Sequence, residues 1–289
     1  MFPDIPPQLI ALAAALSYAA SGISARRGLR YSTPITVTFV SLLIHAFALG
    51  TLLFLTSGVP NVPPFVLLLF FITGSLQPVI RLLTYAAIYY MGASRGTTVR
   101  GSHPLFSTSL AILFLGESAN AWVLTGTVLI VGGVTLISWQ PASDRAAYRW
   151  WHVMLPLGAA LLAGISHPIR RYALGLANEP LFYAASVGWV SLFWMSGYLL
   201  SARERPAWSR QALVPFIMAG IFETLGILLV IIALSVGAVV IVSPIVATSP
   251  LWILVGTGLF LRGIENLSLR TVIGALCVVG GTIAISLVR

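Results

Sequence analysis

From Tyr31 to Ile80 the chain runs fifty residues without an Asp, Glu, Lys or Arg. A soluble domain carries roughly a quarter charged residues, so a gap of this length has no place on a water-facing surface. It is long enough for two crossings of a bilayer at about 20 apolar residues each. The rest of the chain agrees, with 58% hydrophobic and only 8% charged residues among 289. These figures place the protein in a membrane. The net charge of +9 comes from sixteen basic residues, all arginine. They lie scattered between apolar runs rather than clustered, which speaks for orientation in a bilayer and against nucleic acid.

Ten apolar runs are predicted as spanning helices: 8–25, 33–56, 65–90, 94–115, 120–138, 152–172, 180–201, 211–234, 237–261 and 268–287. Short Pro, Gly or Arg punctuation separates them. The longest polar connection, QPASDRAAYRWWH, lies near the middle of the chain. The N-terminal MFPDIPPQ lacks the basic region of a signal peptide, so the first run is expected to be retained. A single cysteine, Cys277, sits in an apolar run. It allows neither an internal disulfide nor a cysteine metal site and reads as a small buried hydrophobe.

The midpoint connection prompts a search for a repeat. A shift of 148 aligns Glu117 with Glu265, Gly126 with Gly274, and Gly132–Gly133 with Gly280–Gly281. SHPLF at 102–106 faces TSPLW at 248–252 at a shift of 146, and ISARRGL at 23–29 faces HPIRRYA at 167–173 at 144. Five helices per half is an odd number, so the halves must be oppositely oriented, a common transporter design. The expected fold is an all-α polytopic membrane protein with ten transmembrane helices in two inverted five-helix repeats. The repeats cover 1–140 and 152–289, with a connecting loop at 141–151.

The doubled pattern Pro104…Glu117…Gly126…Gly132–Gly133 and Pro250…Glu265…Gly274…Gly280–Gly281 resembles the drug/metabolite transporter superfamily, in its ten-helix EamA-type branch. The resemblance covers nearly the whole chain. It implies secondary transport, a central cavity lined by the first-to-fourth and sixth-to-ninth helices, and a fifth and tenth helix packed together away from substrate. The glycine faces suit close helix contact independently of the resemblance.

The connections on one side hold eleven arginines and those on the other hold three, namely Arg170, Arg171 and Arg289. The positive-inside rule then puts both termini outside the cytoplasm. The resemblance implies cytoplasmic termini and an Arg-rich second connection, but here that connection, TSGVPNVPP, is uncharged and the seventh is Arg-rich.

Arg81 lies about 5 Å from the middle of its helix at ~1.5 Å per residue. A cation there costs about 2.5–3.5 kcal/mol on insertion scales and is too deep to reach the nearer interface. It must face the interior, to bond carbonyls across a helix gap or to line a transport path. Gln77, Arg81, Tyr85 and Tyr89 recur every fourth residue and share one face. The next helix adds Arg100 and His103, with Thr97 and Ser107, at a depth where Arg81 and Arg100 would face one cavity. Glu223 is the one acid deep in a predicted span and stands at the repeat position of Gln77. It reads as an ion-pair partner for one of these arginines, as a proton-coupling site, or as a protonated group bonded to one neighbour. Ser17, Ser21 and Ser24 share a face of the first helix. His167 precedes Pro168, and His45 stands alone as structural or a minor cavity residue. Two prolines in SPIVATSP predict a bent ninth helix.

The leading expectation is an exporter or exchanger of a small polar metabolite, an amino acid or organic anion, in the cell inner membrane. Gln77, Arg81, Tyr85, Arg100, His103 and Glu223 would bind it. The alternative is a flippase for a lipid-linked head group. No zinc-protease or nucleophile-elbow motif and no paired mid-span carboxylates suggest an enzyme. No ring of charge suggests a channel. No cofactor or metal is expected, and no nucleic acid. The expected partners are the substrate and the lipid bilayer, around a monomer or a dimer.

Overall fold

The computed structural model describes residues 5–138, 150–201, 205–260 and 269–286. The connection between the halves up to Arg149, Arg203, Arg262 and Glu265 lie outside the described residues. Among the described residues every regular element is a helix, and no strand is present. The helices of the first half are α1 (Pro7–Gly28), α2 (Pro34–Thr56), α3 (Pro64–Met91), α4 (Ala93–Arg100), α5 (His103–Leu115) and α6 (Ala121–Ser138). Those of the second are α7 (Met154–Leu176), α8 (Pro180–Ser201), α9 (Arg210–Val236), α10 (Val239–Val246), α11 (Ser249–Phe260) and α12 (Leu269–Ser286). Among the described residues, six stretches are long and apolar enough to cross a membrane.

Local chemistry sets the ends. Pro7, Pro34, Pro64 and Pro180 open their helices, where a missing N–H costs nothing. Gly92 and Gly116 end α3 and α5 at φ of 86° and 65°, values that favour glycine.

Two expected helices, 94–115 and 237–261, are each divided. The cause is the same in both halves. A proline lacks an N–H and its ring displaces the carbonyl four residues back. Pro104 lies four residues after Arg100, where α4 stops, and Pro250 lies four after Val246, where α10 stops. The predicted bend of SPIVATSP is thus a full interruption. Pro78 disturbs α3 in the same way, but α3 continues through it. The carbonyl of Gly74, freed by Pro78, accepts a hydrogen bond from Ser191 Oγ of α8 at 2.9 Å.

Packing relates the two halves. α1 lies on α9 and α7 on α3; α2 meets α8, and α6 meets α12. Exchanging first-half helices for their second-half counterparts returns the same set of contacts. The α6–α12 contact is made by the repeated glycines. A Cβ on Gly126 would lie 2.7 Å from the carbonyl oxygen of Gly281, and one on Gly133 would lie 2.5 Å from that of Gly274. The two crossings are repeat images of one another.

Terminal carbonyls are treated alike too. Arg26 of α1 donates to the carbonyls of Ile88 and Tyr89 in the last turn of α3. Arg171 of α7 donates to those of Leu234 and Ser235 in the last turn of α9. Both place a cation where the helix dipole is negative.

Candidate substrate site

The polar side chains inside the bundle form two adjoining groups. The first surrounds Arg81, which is 1% exposed. Its Nη1 donates to Ser41 Oγ at 3.2 Å and its Nη2 to His45 Nδ1 at 2.6 Å. The far nitrogen of His45, Nε2, donates to the carbonyl of Ala184 at 3.0 Å, so Nδ1 is left as the acceptor Arg81 needs. Glu223 Oε1 stands 4.0 Å from Arg81 Nε, and its Oε2 accepts from Ser21 Oγ at 2.9 Å. Tyr85 is buried here, beside Ser21 and Ser41.

The second group lines a cavity of about 20 Å³ between α1, α3, α4, α5, α7, α9 and α10. That volume holds about one water molecule. Gln77 and Ile80 come from α3, Arg100 and His103 from the two sides of the first helix break, and Val246 from the second break. From α7 come Ser166, His167 and Arg170. Arg170 Nη2 donates to Gln77 Oε1 at 2.9 Å. The Arg100 guanidinium lies 5.6 Å from the centre of the Tyr18 ring. Tyr18 fits because residue 226 is glycine; a Cβ there would come within 2.8 Å of the ring. Deeper, Ser243 Oγ of α10 is shared by Ser107 Oγ at 2.6 Å, His103 Nδ1 at 3.1 Å and His167 Nδ1 at 3.2 Å.

The six residues expected from sequence are therefore split. Gln77, Arg100 and His103 line the cavity; Arg81, Tyr85 and Glu223 do not. The expectation that Arg81 and Arg100 face one cavity does not hold. Arg81 is turned toward α2, where Ser41 and His45 take two of its nitrogens. Tyr89, on the same nominal stripe, is exposed. The placement of Arg170 in a connection is also overturned. α7 runs on to Leu176, and Arg170 is 3% exposed inside the bundle. Two neighbours on a helix diverge by about 100°, so Arg170 turns inward while Arg171 reaches α9. Tyr18, Ser41, Arg170 and Ser243 were missed as site residues, and His45 was undervalued. The repeat match of Arg26–Arg27 with Arg170–Arg171 was the only signal for Arg170.

Glu117, expected in a connection, holds the start of α10. Its two carboxylate oxygens accept the backbone N–H groups of Val239 and Val240, each at 3.0 Å. Such an acid at a helix N-terminus satisfies orphan donors and complements the dipole.

The arrangement gathers charged and hydrogen-bonding side chains that can bind a polar solute. Three guanidiniums, of Arg81, Arg100 and Arg170, meet one carboxylate, and each has a buried Nε without a hydrogen-bond partner. Among the described residues no three His, Cys, Asp or Glu side chains gather as a metal would need.

Comparison with known proteins fits this picture. A solved structure described only as the crystal structure of a protein superposes with a TM-score of 0.76, over 98% of this chain and 99% of its own, at 15% identity. That similarity establishes the fold. No curated protein matches the sequence. The profile of the EamA-like transporter family matches twice, over residues 6–139 and 150–287. The chain is a multi-pass membrane protein belonging to the EamA-like transporter family.

Proposed function

We propose that the protein is a secondary transporter, an exporter or exchanger, for a small polar metabolite, either an amino acid or an organic anion. The observation that carries this reading is the excess of buried guanidinium over carboxylate around a cavity shared by both halves. Uncompensated charge inside a membrane protein is costly and marks a substrate path. Two interrupted helices meet at the same cavity, as in other transporters whose broken helices surround a substrate.

The chain crosses the membrane ten times, with α4–α5 and α10–α11 each making one crossing. Five crossings per half give inverted repeats, a reading supported by the exchange symmetry of the helix contacts. The cavity is too small for a metabolite and must widen toward each side in turn, which is alternating access. With Arg170 removed from the connections, the arginine imbalance grows, and both termini lie outside the cytoplasm of a cell inner membrane. A C-terminal reporter active only in the cytoplasm should therefore stay dark; a bright one would reverse this topology.

The direct test is exchange of labelled solute by purified protein in liposomes. Arg100→Ala and Arg170→Ala should abolish exchange while leaving folding intact; normal affinity in both variants would remove the cavity from the transport path. Arg81→Ala should also impair transport, through loss of the Glu223 partner.

A second reading, a flippase for a lipid-linked head group, is supported by an apolar groove of about 700 Å³ between α2, α3 and α8. Leu53, Phe54, Phe70, Phe182 and Trp189 line it. Dependence of activity on a long-chain carrier separates this reading from the first.

A further inference from the structure

The charge of the cavity separates the two substrate classes left open above. We infer that the substrate is a small dianion without an ammonium group, a dicarboxylate or a phosphate monoester; the inference rests on the transporter reading.

Arg100 and Arg170 enter the cavity from α4 and α7, one from each half. A guanidinium stays protonated at any physiological pH and offers donors only. Neither cation meets an acid among the described residues. Arg170 gives Nη2 to the neutral amide oxygen of Gln77, and Arg100 lies over the neutral ring of Tyr18. Each keeps a buried Nε with no partner.

The described acids are all committed elsewhere. Glu223 stands against Arg81 and Ser21 and is absent from the cavity wall. Glu117 caps α10, and Glu179 is exposed. Two positive charges in a membrane interior call for two negative ones. A zwitterionic amino acid brings a net charge of zero, and its ammonium would meet two guanidiniums at the cavity wall, while Glu223, one turn along α9 from the lining residue Ile227, is already held by Arg81 and Ser21. A dianion matches both cations and supplies acceptors to both free Nε groups.

The repeat sharpens the point. Gln77 occupies the position that Glu223 holds in the second half. A glutamate at 77 would neutralise Arg170 from within the protein. The amide leaves that charge for a ligand.

The test uses the full chain in liposomes, in buffer free of phosphate and sulfate. Labelled succinate and glycerol 3-phosphate are the dianion probes; lactate and alanine are the monoanion and zwitterion. Either dianion should exchange at least about 10-fold faster than lactate or alanine, the effect of one charge-assisted bond pair. Gln77→Glu should cut dianion exchange about 10-fold and raise lactate relative to it. Arg100→Lys, which keeps the charge, should retain part of the dianion exchange where Arg100→Gln retains none; thermal stability of each variant reports its folding. Alanine exchange as fast as that of the dianions, and lost in Arg100→Gln, would overturn the dianion inference and leave the transporter reading standing. Absence of exchange for every probe, with folded protein, would overturn both.

Discussion

Gly132 and Gly133 are adjacent on α6, yet alanine should act on them in opposite directions. A Cβ on Gly132 meets nothing within 4 Å. A Cβ on Gly133 would lie 2.5 Å from the carbonyl oxygen of Gly274, 2.8 Å from Cys277 Cβ and 2.9 Å from Val278 Cγ2. Normal contact is about 3.5–4.0 Å, so α6 and α12 must separate by about 1 Å. Overpacking of that kind costs about 1–3 kcal/mol. Alanine for glycine in a helix returns about 0.8–1 kcal/mol at either site. Gly132→Ala should thus stabilise by up to about 1 kcal/mol, and Gly133→Ala should destabilise by up to about 2. At roughly 2 °C per kcal/mol for a chain this large, the two variants should differ by about 2–6 °C in thermal unfolding in detergent. Gly133→Leu should fall further, because the α6–α12 contact cannot form at all. Equal transition temperatures for the two alanine variants would refute the claim that these repeated glycines are the crossing point.

Glu117→Ala leaves the Val239 and Val240 N–H groups without their acceptor; it should cost about 2–3 kcal/mol, visible as a lower unfolding temperature, with Glu117→Gln intermediate. Arg81→Leu and Glu223→Leu should each destabilise by about 3–5 kcal/mol and the double variant by less than their sum, because each single change strands a buried charge; strict additivity in denaturant unfolding would remove the pair. Ser243→Ala deprives Ser107, His103 and His167 of a shared partner and should lower stability by about 1–3 kcal/mol; an unchanged unfolding temperature would show that this network is not maintained.

Helix identity was legible because it is written at short range. A run of apolar residues bounded by Pro, Gly or Arg encodes both length and end, and observed boundaries such as Pro180–Ser201 and Ala121–Ser138 fall within a residue or so of the expected ones. The glycine crossing was legible for a second reason: the repeat printed it twice, at Gly126 and Gly133 and again at Gly274 and Gly281. The breaks were half legible. Prolines announced a bend at 244 and 250, while the matching break before Pro104 was read as continuous helix. The site itself was the least legible part. Arg170 lay six residues inside the true end of α7 but looked terminal, because an arginine pair reads as helix punctuation.

The sequence by itself determined that this chain lives in a membrane, where its helices lie, that it is doubled, and that Arg81, Arg100 and Glu223 lie inside its spans. Those properties follow from the solvent: hydrocarbon tolerates so few polar groups that each one stands out. Only the tertiary structure decided who meets whom. Ser41 and His45 on α2 draw Arg81 away from the cavity, and Glu223 follows it, while Arg100 and Arg170 are left facing the empty space. Partner choice depends on which helix faces which and at what rotation, and that is fixed by contacts such as Gly226 against Tyr18 that join residues two hundred positions apart.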